Sequence, residues 1–241
     1  MTSTGALVIS GGGRFGDPWH PFNETSAFLT AVLQDQGYLV RLSDDADASL
    51  ASLLSGPLPS LLVINIGWYG PDSFSESATD GLVAALHSGL PTLLVHSTLT
   101  AFPDWPLWHE IAGGGWTYGT TYHPDYGPGV ALANPDHPLT AHLDNLTITD
   151  ERYTRMWVDD RSAVFLEHEE AGQRHPLAWT RVWGTSPIVA DALGHDTGAY
   201  QAAGRAALLH RELNWLGTRK NQAPSADNSI SGAARRRLQS Q

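Results

Sequence analysis

A chain of 241 residues, 41% of them hydrophobic, is long enough to bury one large core, and the lack of any cysteine excludes thiol nucleophiles, disulfides and thiolate metal sites. The formal net charge of −11 conceals a more acidic body: beyond Thr218, Arg219, Lys220, Arg235, Arg236 and Arg237 face the single acid Asp227, while the residues before it carry nine basic and twenty-four acidic groups. Such a body repels phosphate backbones and anionic membranes, so neither nucleic acid nor a membrane surface is expected as a partner.

Residues 1–10 have no basic stretch ahead of their short apolar run. Ala6-Leu7-Val8-Ile9 therefore reads as a first strand rather than a leader. No apolar stretch approaches the ~20 residues of a membrane span, and the cytoplasm is the expected location. Gly11-Gly12-Gly13 follows as a flexible lip, and a helical pattern runs from Asn23 to a stop at Gly37. Strands are expected over 38–42, 61–66 and 91–95, with a helix through 81–86 between the last two. From about 116 to 185 the chain is rich in glycine, proline and aromatics. Within that stretch 118–122 reads as a short strand, and 163–166 with 177–179 as a hairpin around a polar turn at 169–174. A buried strand over 186–193 and a helix over 200–215 complete the body. Continuous apolar strands alternating with helices specify an α/β fold, a mainly parallel sheet covered on both faces, here with an added β-rich segment. Residues 219–241 have no apolar period and are expected to be a disordered basic tail, leaving one domain over 1–218. No internal repeat is present.

Gly11, Gly13 and Gly16 satisfy G-x-G-x-x-G after the first strand, but Pro18 and Pro21 break the helix that would have to present its amino end to a pyrophosphate. Neither NAD nor FAD is expected, and the P-loop lysine is missing. Four histidines fall at strand ends: His20, His96, His123 and His195. Ligands bind at that edge of a doubly wound sheet, so these four are the candidate site. They are also a candidate metal set, because zinc accepts imidazoles and keeps an open position. His87, His142, His168 and His210 read as solvated. Glu151 is read as a general base or as a partner holding a histidine tautomer. Ser97, after His96, is a candidate nucleophile or substrate contact, although Val95-His96-Ser97-Thr98-Leu99 lacks the small neighbours of a nucleophile elbow. Trp105, Trp108 and Trp116 are candidates for a sugar-binding wall, with core packing the expected fate of at least two.

In order along residues 5–216 stand Ser10-Gly11-Gly12, His20-Pro21-Phe22, Thr25-Ser26, Gly67-Trp68, Val95-His96-Ser97 and Phe102-Pro103-Asp104-Trp105. They are followed by Gly113-Gly114-Gly115-Trp116, Tyr122-His123-Pro124, Asp136-His137-Pro138, Asp150-Glu151-Arg152-Tyr153, His175-Pro176-Leu177-Ala178-Trp179 and Leu193-Gly194-His195-Asp196. This series resembles the trehalose-utilisation (ThuA-like) family. The resemblance implies a flavodoxin-like fold of the class I glutamine amidotransferase type. His96-Ser97 stands where those amidotransferases carry cysteine, so no glutamyl thioester can form and glutaminase activity is excluded. One departure is the stretch before that elbow, reduced here to Ser88-Gly89-Leu90-Pro91.

The family is associated with catabolism of trehalose and related disaccharides, beside oxidoreductases that make 3-keto sugars. The resemblance implies a small-molecule carbohydrate ligand, with His96, His123, His195 and Glu151 in acid–base roles. His20, Ser97, Trp68, Trp105, Trp116 and Asp196 would then be substrate contacts. A non-catalytic sugar-binding or accessory protein and a Ser97 hydrolase are the alternatives. Homo-oligomerisation is left open.

Overall fold

The computed structural model describes residues 4–68, 73–202 and 204–219; the expectation of a disordered tail falls, from residue 220 on, outside them. The chain forms β1 (Gly5–Ser10), α1 (Phe22–Asp35), β2 (Leu39–Ser43), α2 (Ala46–Ala51), β3 (Leu61–Asn65), α3 (Glu76–His87) and β4 (Thr92–Val95). Then come α4 (Pro106–Ala112), β5 (Gly114–Gly115), β6 (Gly127–Ala133), β7 (Leu146–Asp150) and β8 (Trp157–Val158). Last are β9 (Ala163–Glu170), β10 (Gln173–Trp183), β11 (Ser186–Asp191) and α5 (Arg205–Arg219).

Among the described residues nine strands make one sheet in the order β2-β1-β3-β4-β11-β10-β9-β6-β7. The first five are mutually parallel, a flavodoxin-like arrangement. The remaining four are antiparallel to their neighbours. Side chains of the parallel strands alternate between two cores. Leu7, Ile9, Leu62, Ile64, Leu94 and Ile188 pack with Leu50, Leu82 and Leu86 of α2 and α3. Ala6, Val8, Leu61, Val63, Leu93 and Val189 pack on the other face with Leu29, Leu33, Leu208 and Leu213 of α1 and α5.

The local signals account for most element ends. Asp45 and Ser75 cap α2 and α3 by accepting from the N–H groups of Ala48 and Ala78. Pro106 opens α4, and Gly113 closes it in the left-handed region at φ +65°. The hairpin of β9 and β10 turns on only Ala171 and Gly172, both at positive φ, which matches the twist of the strands better than the six-residue turn expected.

Four expectations are corrected. Residues 118–122 are mostly turns, with only Tyr122 bridging to Thr154. The expected helix over 200–215 is a short 3-10 turn, Ala199–Gln201, followed by α5. The glycine-rich segment after β1 is packed rather than a flexible lip: Phe15 is buried against Phe74 and Phe102, and a Cβ on Gly11 would lie 2.5 Å from the Phe22 ring. His168 is 1% exposed, held between Tyr153 O and Thr154 Oγ1, because β9 turns that face inward.

Candidate active site

The parallel strands carry their carboxyl ends to one edge, and β7, running the same way, ends there too. His20 follows β1, His96 follows β4, His195 follows β11 and Glu151 follows β7. The antiparallel arm curls back until Asp150 accepts from the backbone N–H groups of Gly194 (2.7 Å) and His195 (3.2 Å). Burial pushes Asp150 up to about 7, against the pull of these donors and of the Glu151 N–H. Below it, Asp191 pairs with Arg205 and its Oδ1 accepts from Leu193 N, which fixes the root of the His195 loop on α5.

His96 sits at φ +46°, the left-handed region, which costs a non-glycine residue roughly 1–2 kcal/mol. The sharp elbow turns its ring toward Tyr153 and Glu151. Nδ1–H donates to Ala192 O at 2.7 Å, leaving Nε2 to face Tyr153 Oη at 3.0 Å and Glu151 Oε2 at 3.5 Å. Burial draws this imidazole down to about 4, outweighing Glu151, so the ring is neutral.

His20 is oriented the same way. Its Nδ1 lies 2.8 Å from both oxygens of Asp17, whose Oδ1 also accepts from the Trp19 and His20 N–H groups. Burial would raise Asp17, but these bonds outweigh it and hold the carboxylate low. His20 Nε2 is buried and has no hydrogen-bond partner. His195 Nδ1 lies 3.4 Å from Glu151 Oε2, and that carboxylate raises its affinity for a proton against the effect of burial. Burial alone would raise Glu151, yet bonding to His195 and His96 holds it far below the usual carboxylate range.

His123 approaches from the other side, with Nε2 3.7 Å from Glu151 Oε1 and its side chain 37% exposed. One ligand atom from each of His20, His96, Glu151 and His195 lies within 4.8 Å of every other. Three of the four expected histidines are therefore joined by Glu151, and His123 stands outside that group.

Above them opens a cavity of about 380 Å³, with Trp19, Trp68, Trp116, Tyr118 and Tyr153 among its walls and Asp17, His20, Thr100, His123 and Glu151 among its polar lining. No lysine or arginine lines it among the described residues. Its volume is at the lower end of the ~300–1,000 Å³ usual for small-molecule sites.

Trp105 is placed elsewhere, half-buried against the core, stacked on Trp108 and edge-on to Phe102. Ser97 is also outside the cavity: it is 1% exposed and its Oγ donates to Ile66 O, so it braces the end of β3 against the elbow. Asp196 accepts from Tyr126 Oη and Ala199 N, tying down the His195 loop rather than lining the cavity. Asp17, Trp19 and Tyr118 escaped the sequence reading. Only the Asp-Pro turn three residues before His20 could have signalled Asp17.

Fold and pocket together define a flavodoxin-like α/β protein with a histidine–carboxylate cavity at the carboxyl edge of its sheet. The chain belongs to the ThuA family, described as trehalose utilisation, which matches it over residues 6–216. A ThuA-like protein from Parabacteroides merdae superposes with TM-score 0.74 at 19% identity, over 90% of this chain and 91% of the other. One from Bacteroides uniformis superposes with TM-score 0.69 at 13% identity, over 90% and 93%. A β-galactosidase from Rahnella sp. R3 shares the fold over 89% of this chain but only 32% of its own, with TM-score 0.59 at 14% identity. No curated protein matches the chain in sequence. Among the described residues no helix is long and apolar enough to cross a membrane.

Proposed function

We propose that the cavity is the active site of an enzyme of carbohydrate catabolism acting on a neutral, trehalose-related keto sugar or keto glycoside. The observation that carries this reading is an aromatic-walled cavity lined by His20, His123 and Glu151, with His96 and His195 packed against that carboxylate and, among the described residues, no lysine or arginine in the lining. Indole and phenol faces suit the apolar faces of a sugar ring. A phosphorylated sugar would meet two carboxylates, Asp17 and Glu151, and no fixed cation from the lining.

The reaction these groups suit is proton removal beside a ketone. His123, at the cavity wall and partly exposed, takes the proton from the carbon next to the carbonyl. His195, whose hold on a proton Glu151 strengthens, stabilises the negative charge that develops on the carbonyl oxygen. When that carbon adjoins the glycosidic centre, the electron pair forms a carbon–carbon double bond as the glycosidic C–O bond breaks. The departing sugar oxygen then takes a proton from the imidazolium. His123 Nδ1 donates to Pro124 O at 2.9 Å, which orients the ring, and Glu151 Oε1 lies 3.7 Å from its Nε2.

The test is consumption of 3-keto-trehalose or a 3-keto-glucoside followed by NMR. Wild type should turn it over, and His123→Ala should lower kcat by roughly 10²–10⁴, the usual contribution of a positioned base. Equal rates would remove His123 from the chemistry. Binding without turnover in the wild type would make the protein a sugar-binding accessory instead.

A further inference from the structure

We infer that His20, His96, His195 and Glu151 form a binding site for one divalent transition-metal ion of the zinc type, with His123 outside the coordination sphere. The inference stands on the donor set and not on the identity of the substrate. Four ligand atoms from four separate segments lie within 4.8 Å of one another. Donors at about 2.0–2.2 Å from a common ion lie roughly 2.8–4.4 Å apart, so small side-chain rotations close the shell.

The rings are prepared for ligation. His20 commits Nδ1 to Asp17, and His96 commits Nδ1 to the Ala192 carbonyl. Each arrangement leaves the Nε2 lone pair facing the group, as the outer partners of metal-binding histidines do. Buried polar atoms are normally satisfied, yet His20 Nε2 is buried without a hydrogen-bond partner, and His195 Nδ1 has only the 3.4 Å approach of Glu151 Oε2. A bound cation supplies the partner that His20 lacks and draws His195 and Glu151 onto the same point. His96 Nε2 is engaged only by the Tyr153 hydroxyl and, more distantly, Glu151, and the hydroxyl gives way when the nitrogen takes an ion.

The donor chemistry selects the ion. Three imidazoles and one carboxylate suit zinc, cobalt, nickel, iron or manganese, whereas magnesium and calcium require oxygen-rich shells. A five- or six-coordinate ion held by these four groups keeps one or two positions toward the cavity. A ketone oxygen or water can occupy them, and the ion then acts as a Lewis acid for negative charge developing on that oxygen. Glu151 divides its oxygens between the two tasks, Oε2 toward His96 and His195 and Oε1 toward His123.

The experiment uses untagged full-length protein, stripped with a chelator and titrated by calorimetry with zinc or cobalt(II) chloride. One ion per chain is expected, with a rise in Tm and, for cobalt, a visible absorption band of a nitrogen-rich site. His20→Ala and His195→Ala should each weaken binding at least 100-fold, and His123→Ala by less than about threefold, with circular dichroism confirming that all are folded. A conservative His195→Gln variant should also lose binding, so that a collapsed Ala variant does not decide the matter. Stoichiometry near zero, or wild-type affinity in the His20 and His195 variants, would overturn the site. Sugar turnover that survives in protein unable to bind metal would remove the ion and leave the carbohydrate reading standing. Tight, variant-sensitive metal binding without sugar turnover would do the reverse.

Discussion

Gly114→Ala tests whether the three-glycine run exists to deliver Trp116 to the cavity. β5 passes so close to the core that a Cβ on Gly114 would lie 2.5 Å from Trp179 Cζ2 and 2.9 Å from Trp157 O. Trp179 cannot retreat: it is fully buried, and its Nε1 donates to Ala112 O at 2.8 Å. Gly114 has no positive φ, so the alanine meets no backbone strain and gains about 0.4–1 kcal/mol from a stiffer unfolded chain. Overpacking a tight core costs about 1–3 kcal/mol. The net is a loss of about 1.3 kcal/mol, or a Tm lower by about 3–5 °C for a domain of this size. Because Trp116 follows two residues later and its N–H is pinned to Leu99 O, affinity for the sugar should fall as well. Gly5→Ala is the control, since the nearest atom to its Cβ would be 3.9 Å away. Thermal unfolding and sugar titration of both variants decide it. A Gly114→Ala protein that melts with the wild type and binds sugar normally would refute the packing argument.

Trp116→Ala removes one wall of the cavity. A loss of about 1–2 kcal/mol of stacking and apolar contact corresponds to a KM or Kd raised about 5- to 30-fold with the fold intact, and an unchanged KM would show that no ligand rests on this ring. Asp17→Asn keeps the shape of the turn but removes the carboxylate that orients His20. Metal affinity measured by calorimetry should drop about 10- to 100-fold, and full affinity would reduce Asp17 to a turn residue. His168 provides a pH test. Burial, helped by the charges of His175 and Arg152, lowers its imidazole to about 4 against the weaker pull of the Tyr153 carbonyl and Glu170. The folded value lies below the unfolded one of about 6.5, so the neutral ring's contribution is complete above that pH and is lost as pH falls toward 4. That contribution is on the order of 2 kcal/mol after allowance for screening. Urea unfolding of wild type and His168→Gln at pH 7, 5.5 and 4.5 should show a smaller acid-side loss in the variant. Parallel losses would place the acid sensitivity elsewhere.

Periodicity and turn chemistry are local properties, and they made much of this protein legible. Apolar runs such as 61–66 and 91–95 announce buried strands, and a parallel sheet brings the ends of such strands to one edge. His20, His96, His123 and His195 could therefore be grouped from the sequence, and the absence of cysteine alone removed thiolate chemistry. Tertiary structure decided the rest. Glu151 enters the donor group only because the arm of β6 and β7 curls back, so that Asp150 can bond the N–H groups of Gly194 and His195, more than forty residues on. That same curl leaves His123 facing the other oxygen of Glu151, outside the group. Trp105 and Trp116 read alike in sequence, yet one stacks against the core and the other lines the cavity, because α4 and the glycine run after it set their directions. His168 reads as a solvated hairpin residue and is buried, since the face a strand presents inward depends on what packs across it. Spacing along a chain encodes period and caps; which side chains converge on one point depends on long-range pairing that no local window contains.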